Sequence, residues 1–198
     1  MTAHQNTRER VISRATQLIR RKGFRATSIG EIIVASGIKK GGLYHHFQDK
    51  DQLGMEILQR AEVELYAFLD NALAGDSPIE GLFHFLDAVL IKHKKTRFVG
   101  GCIFGNTALE MADDAKPFAD AIARVFAEWI HKIEIVIRRA QKLGQVRGDL
   151  SPRALAQHVV MTIEGGIMLS RLGKTERPLK ECLRMLKQIL LPNSQQER

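Results

Sequence analysis

The side chains best suited to chemistry lie between Ser28 and Lys50. Lys39, Lys40, Tyr44, His45 and His46 follow Gly37 and are interleaved with Ile38, Leu43 and Phe47. An ammonium group neutralises a phosphate or reaches guanine O6 and N7 in the major groove. A phenol hydroxyl and an imidazole N–H donate to phosphate oxygens. Gly41 and Gly42 remove side-chain bulk just where a helix carrying these groups would start, so its N–H groups can come close to an anion. Adjacent histidines on a helix point about 100° apart, which argues against His45 and His46 as joint metal ligands. No CxxC spacing is present, and neither a metal nor a cofactor is expected.

Catalytic arrangements are missing. The chain has no glycine-rich phosphate loop, no HExxH and no Ser/His/Asp or Cys/His set that announces itself, so a non-enzyme is expected. Its two cysteines, Cys102 and Cys182, have no paired spacing and read as reduced thiols of a cytosolic protein. Cys102 follows Gly100-Gly101 at an expected helix start, where the helix dipole lowers a thiol pKa. It is a candidate redox or electrophile sensor; the alternative is a small apolar thiol in the core.

The elements that must position these groups are helical. With 198 residues, 44% apolar and 26% charged, the chain can bury a core without disulfides, which excludes a disordered or collagen-like class. Val11, Ile12, Ala15, Leu18 and Ile19 set the 3.6-residue period of a first helix that Gly23 stops. Thr27 and Ser28 offer caps for a second, short helix that ends at Gly37, where a tight turn needs positive φ. A third runs from Lys39 to Phe47, and Asp49 caps a long fourth. The run Ser77-Pro78-Ile79-Glu80 is a capping box with proline at the first helical position. A break at 98–101 precedes a short helix over about 102–112. Asp113-Asp114 starts a long helix over about 115–143, Ser151-Pro152 starts one that ends near Leu172-Gly173, and the last runs over about 178–191. The polar tail Asn193–Arg198 is expected to fray. This is an all-α fold of about nine helices, without strands or repeats.

Charge divides the chain unevenly. The total is 30 basic against 22 acidic residues, a net of +8. Residues 1–50 hold Arg8, Arg10, Arg14, Arg20, Arg21, Lys22, Arg25, Lys39, Lys40 and Lys50 against Glu9, Glu31 and Asp49, so nearly all the excess sits there. Such asymmetry fits a polyanion-binding module, 1–50, joined to a neutral module, 51–198. No apolar run is long enough to span a membrane, and Met1–Arg10 lacks the apolar core of a signal peptide, so a cytoplasmic protein is expected. The pair of short helices joined through Ser36-Gly37-Ile38 follows helix-turn-helix grammar, with the second helix entering the major groove.

The run Ala26-Thr27-Ser28-Ile29-Gly30-Glu31-Ile32, followed by Ser36-Gly37-Ile38-Lys39-Lys40-Gly41-Gly42-Leu43-Tyr44-His45-His46-Phe47-Gln48-Asp49-Lys50-Asp51-Gln52-Leu53, resembles the N-terminal domain of the TetR family of one-component transcriptional regulators, mostly repressors. The stretch 144–152, Gly-Gln-Val-Arg-Gly-Asp-Leu-Ser-Pro, is similar to the connection before that family's penultimate helix, and Gly101–Asn106 resembles one subgroup. The resemblance implies phosphate contacts by Ser28, Tyr44 and Lys50, and a recognition helix exposing Lys40, Gly41, Gly42, Tyr44, His45 and His46. Gly30 and Gly42 stand where many members carry larger side chains, so base readout is expected to lean on Lys39, Lys40 and the histidines.

The resemblance also implies a C-terminal pocket for a small-molecule effector and a homodimer on a pseudo-palindromic operator in double-stranded DNA. Phe104, Phe126 and Trp129, with Met111 and Met161 as adaptable walls and Asn106, Glu110 and Glu164 as polar groups, are the candidate pocket residues. Val159, Ile163, Gly166 and Ile167 of the eighth helix, with Leu179, Leu183 and Leu186 of the ninth, are the candidate dimer interface. The alternative is that this stripe closes the protomer's own core. Two other functions fit the composition: an architectural DNA-binding protein without an effector, and an adaptor whose basic face meets an acidic protein.

Overall fold

The computed structural model describes residues 3–192, with side chains from residue 6; the tail Asn193–Arg198 lies outside the described residues. Among the described residues there are nine helices and no strand: α1 (Ala3–Lys22), α2 (Ile29–Ser36), α3 (Lys40–His46), α4 (Lys50–Ala72), α5 (Pro78–Lys95), α6 (Ile103–Met111), α7 (Lys116–Lys142), α8 (Pro152–Gly173) and α9 (Arg177–Leu190). Among the described residues no helix is long and apolar enough to cross a membrane.

Local chemistry accounts for the punctuation. Ser28 and Glu31 form a reciprocal capping box on α2, and Ser77 and Glu80 form a second on α5. Thr27, the other candidate cap, is instead fully buried, with its hydroxyl donating to the Gly23 carbonyl at 2.7 Å. Asp49 caps α4 by accepting the Gln52 N–H at 2.7 Å. Ser151 caps α8, accepting the Ala154 N–H at 3.1 Å. The long helix expected after Asp113-Asp114 is α7, which begins at Lys116, and the Asp114 carboxylate pairs with Arg25.

The chain forms two compact units. The first combines residues 1–63 with 102–122; the second combines 64–101 with 123–198. Thus α6 and the first turns of α7 belong with the helix-turn-helix segment. The physical reason is that the Phe24 ring packs against Phe118 at a tilt of 51°, with centroids 5.0 Å apart, and Arg25 bonds to Glu110 and Asp114. In the first unit Val11, Ile12, Ala15, Ile19, Ile32, Leu43, Phe47, Leu53 and Ile57 are buried.

In the second unit, α8 and α9 pack against each other through the residues expected at a dimer interface. Val159, Ile163, Ile167, Leu179, Leu183 and Leu186 are all 5% exposed or less within one protomer. Gly166 is buried as well; a Cβ there would lie 3.2 Å from Leu179 Cα and 3.3 Å from Cys182 Cβ. Within the protomer this stripe packs α8 against α9. Ser170, also buried, ties the two helices by accepting the Leu179 N–H at 3.0 Å.

The outer side of α8 carries a second apolar row. Met161, Met168 and Leu172 are 64%, 58% and 82% exposed, and half-buried Gly165 lies between them. A Cβ at Gly165 would meet nothing within 4 Å. The two rows predict different mutational outcomes. Gly166→Leu overpacks the α8–α9 contact and should cost about 1–3 kcal/mol, read as a lower urea midpoint at unchanged slope and fixed protein concentration.

Candidate nucleic-acid interface

The turn between α2 and α3 is made by Gly37, whose φ of 62° and ψ of 37° lie in the left-handed region. The Ile38 N–H reaches back to the Ile33 carbonyl at 3.3 Å, closing α2. The chain re-enters helix at Lys39, an extended N-cap whose side chain makes no capping bond. An ammonium has no acceptor to offer the free N–H groups of a helix start. Leu43 and Phe47 point into the core, each 1% exposed. Arg8 stacks over the Phe47 ring at 5.2 Å while holding Glu56 with both terminal nitrogens.

With Leu43 and Phe47 inward, Lys39, Lys40, Gly41, Tyr44 and His45 are exposed, and Gly42 and His46 are half-buried. Neither Lys39 nor Lys40 forms an ion pair or side-chain hydrogen bond among the described residues. The His45 and His46 rings meet edge to face, 5.4 Å between centroids. A Cβ at Gly41 would meet nothing within 4 Å, and one at Gly42 only Ile38 at 4.0 Å. The protein's own packing therefore does not require either glycine, although glycine costs up to about 1 kcal/mol against alanine inside a helix. Among the described residues no group of three or more His, Cys, Asp or Glu side chains is placed to hold a metal.

Two expected phosphate ligands have structural partners. The Ser28 hydroxyl accepts the Glu31 N–H at 3.2 Å and lies 3.1 Å from Glu31 Oε2. Lys50 Nζ lies 4.5 Å over the Phe24 ring and donates to the Arg25 carbonyl at 3.3 Å. Burial pushes its pKa down. Much of the remaining basic excess is paired internally: Arg10 donates to the Ser36 carbonyl at 2.9 Å, Lys22 pairs with Glu31 and Arg25 with Asp114.

The candidate effector residues divide between the units. Phe126 and Trp129 stack in the second, 5.9 Å between centroids, with Trp129 buried. Phe104 is buried on α6 and Asn106 is half-buried there, both in the first unit. Met161, expected as a pocket wall, instead faces outward on α8 because α9 takes the opposite side of that helix. Glu110, expected as a polar effector contact, accepts the Arg25 N–H at 2.8 Å. Cys102 is the half-buried N-cap of α6 and makes no side-chain capping bond there. Sequence reasoning missed Gly23, Phe24 and Arg25 as site-forming residues; the signal was Gly23, which had been read only as a helix stop.

Residues 11–57 match the model of bacterial regulatory proteins of the tetR family, and residues 78–186 match that of the tetracyclin repressor-like C-terminal domain. The chain belongs to the TetR family. Among its relatives, the transcriptional regulator LmrA of Bacillus subtilis is 31% identical over 89% of this chain and 93% of its own. The transcriptional repressor DhaR of Mycobacterium sp. strain GP1 is 25% identical over 98% and 96%. A TetR transcriptional regulator from Chloroflexus aurantiacus superposes with a TM-score of 0.85 at 32% identity, covering 95% of this chain and 96% of that one. This TetR-family protein is thus a DNA-binding transcriptional regulator with a helix-turn-helix head.

The cap of α2 has a pH signature. The Lys22 ammonium, with the Ser28 N–H and hydroxyl, holds the Glu31 carboxyl at about 2 against an ordinary 4.5. A depressed folded-state pKa stabilises the cap above the unfolded value, and that support is lost as pH falls from about 4.5 through about 2. The Glu31 carboxyl carbon should titrate by NMR with a midpoint near 2, and Lys22→Ala should move that midpoint upward.

Proposed function

We propose that this TetR-family regulator is a repressor that binds a pseudo-palindromic operator as a homodimer and is released by a small molecule. The observation that carries the DNA reading is the exposed face of α3: Lys39, Lys40 and Tyr44 emerge together, and neither lysine has a charge partner among the described residues. Lys39 and Lys40 reach base edges or phosphates, Tyr44 donates to a phosphate, Ser28 holds the start of α2 as its cap, and His45 and His46 complete the readout. Gly41 and Gly42 allow the backbone of α3 to approach the duplex without displacing a side chain of its own. Lys50 serves the same end indirectly, by bracing the Phe24-Arg25 turn. The repressor assignment is supported by the relative DhaR, itself named a repressor.

The dimer reading rests on the outer row of α8, Met161, Gly165, Met168 and Leu172, with exposed Met185 on α9. An apolar row at 4-3-4 spacing, with a glycine its own protomer leaves uncovered, suits a two-fold contact with a second copy. Phe126 and Trp129 are the proposed effector contacts in the second unit; the buried Trp129 N–H has no acceptor there, so the effector would carry one.

Gel-shift titrations over a salt series test the DNA reading. Affinity should fall steeply with salt, and Lys40→Ala should cost about 1–3 kcal/mol on the operator and relax specificity at one base pair. Affinity for duplex DNA that is independent of salt would overturn it. Met168→Glu, which buries a charge between protomers but touches little in its own, should give a monomer by light scattering and weaken operator binding. A Met168→Glu protein that is still dimeric would place the interface elsewhere.

A further inference from the structure

Arg25 lies three residues before the cap of α2, and α6 fastens it from both its backbone and its side chain. Its N–H donates to Glu110 Oε2 at 2.8 Å, its Nε donates to the Glu110 carbonyl at 2.7 Å, and its terminal guanidinium nitrogen pairs with Asp114. Gly23 makes room for this arrangement: its φ is 96°, and a Cβ built on it would fall inside the Glu110 carboxyl group. On the α4 side Lys50 takes the Arg25 carbonyl and covers Phe24. Thr27 then closes the turn with its bonds to the Gly23 and Phe24 carbonyls, at 2.7 and 3.2 Å. The entry of α2, and with it Ser28, is fixed by residues 85 to 89 positions away in sequence.

The Arg25–Asp114 ion pair adds little to stability. The Arg25 and Asp114 side chains are more than half exposed, and ion pairs at that exposure are worth little. What the clasp does fix is orientation. Non-specific DNA binding follows from charge alone, whereas operator binding needs base and phosphate ligands presented together.

We propose that Glu110 and Asp114 are positioning residues for operator recognition: through Arg25 they set the α1–α2 turn so that α2 and α3 address the duplex as one surface. This rests on the reading of α3 as the DNA-facing helix. Charge arithmetic makes the test sharp. Removing the Glu110 carboxylate raises the net positive charge by one, which by itself strengthens attraction to a polyanion. A loss of operator affinity would therefore run against electrostatics and would report geometry.

The probes are a duplex selected by the wild-type protein from a random-sequence library and an unrelated duplex of equal length. Glu110→Ala should bind the selected duplex about tenfold more weakly, the scale of one charged hydrogen bond, and the unrelated duplex as tightly as wild type or slightly tighter. Glu110→Gln, whose amide oxygen still accepts the Arg25 N–H, should recover most of the loss despite carrying the same charge change. Asp114→Ala should show a smaller loss of the same kind. Leu109→Ala, a change to the exposed neighbour on α6, should match wild type. The proposal is overturned if Glu110→Ala keeps wild-type operator affinity, if both duplexes weaken in parallel, or if Glu110→Gln is no better than Glu110→Ala. Should Glu110→Ala fail to fold, as judged by circular dichroism, wild-type operator affinity in Asp114→Ala overturns it instead. Lys40→Ala is titrated alongside: unchanged affinity there would sink the reading of α3, a different failure.

Discussion

The geometry of the DNA-binding head depends on one residue held in a left-handed conformation. Gly37 at φ 62° turns the chain so that α3 presents Leu43 and Phe47 to the core formed with α1 and α4. A side chain at that φ is strained on any residue with a Cβ, which is why glycine ends the helix there. Once Leu43 and Phe47 are committed inward, the period of the helix leaves Lys40, Tyr44 and their neighbours on the opposite side. The turn supplies the fold and the interface in the same step.

Around that turn, the basic excess divides into two groups. Arg8, Arg10, Lys22 and Arg25 are engaged by the protein itself: one stacks on Phe47 while gripping Glu56, one holds the end of α2, and two fasten its beginning. Lys39 and Lys40 stand outside. A positive head on a TetR-family regulator is therefore not uniformly a DNA surface. Arg8, Arg10 and Arg25 help build the platform, and two lysines at the start of α3 project from it. The same economy governs α6. As a short helix it shares the compact unit of the head, with its last turn bonded to the α1–α2 turn, so the head extends beyond the helix-turn-helix itself.

The neutral part is organised by a choice between two rows on α8. Val159, Ile163, Gly166 and Ile167 face α9, and Met161, Gly165, Met168 and Leu172 face away. The inner row uses branched side chains and one glycine to bring two backbones close. The outer row uses flexible methionines and another glycine that nothing in the protomer covers. Both are apolar at helical spacing, so composition does not rank them.

The sequence by itself determined what rests on local chemistry. The candidate caps Thr27 and Ser28, the capping box at Ser77, the stop at Gly37, proline at the start of α5 and α8, and the 3.6-residue period placed nine helices to within about a turn, because each signal acts within a few residues. The motif from Gly37 to Lys50 likewise carried the family and the exposed face of α3. Only the tertiary structure decided what depends on partners far along the chain. It bonded Glu110 to Arg25, drew Lys50 onto Phe24, pointed Met161 outward, and put α6 in one compact unit with the helix-turn-helix segment. A helix's spacing says which residues share a face, but which face is covered is settled by the helix that packs on it, and that helix lies elsewhere in the sequence.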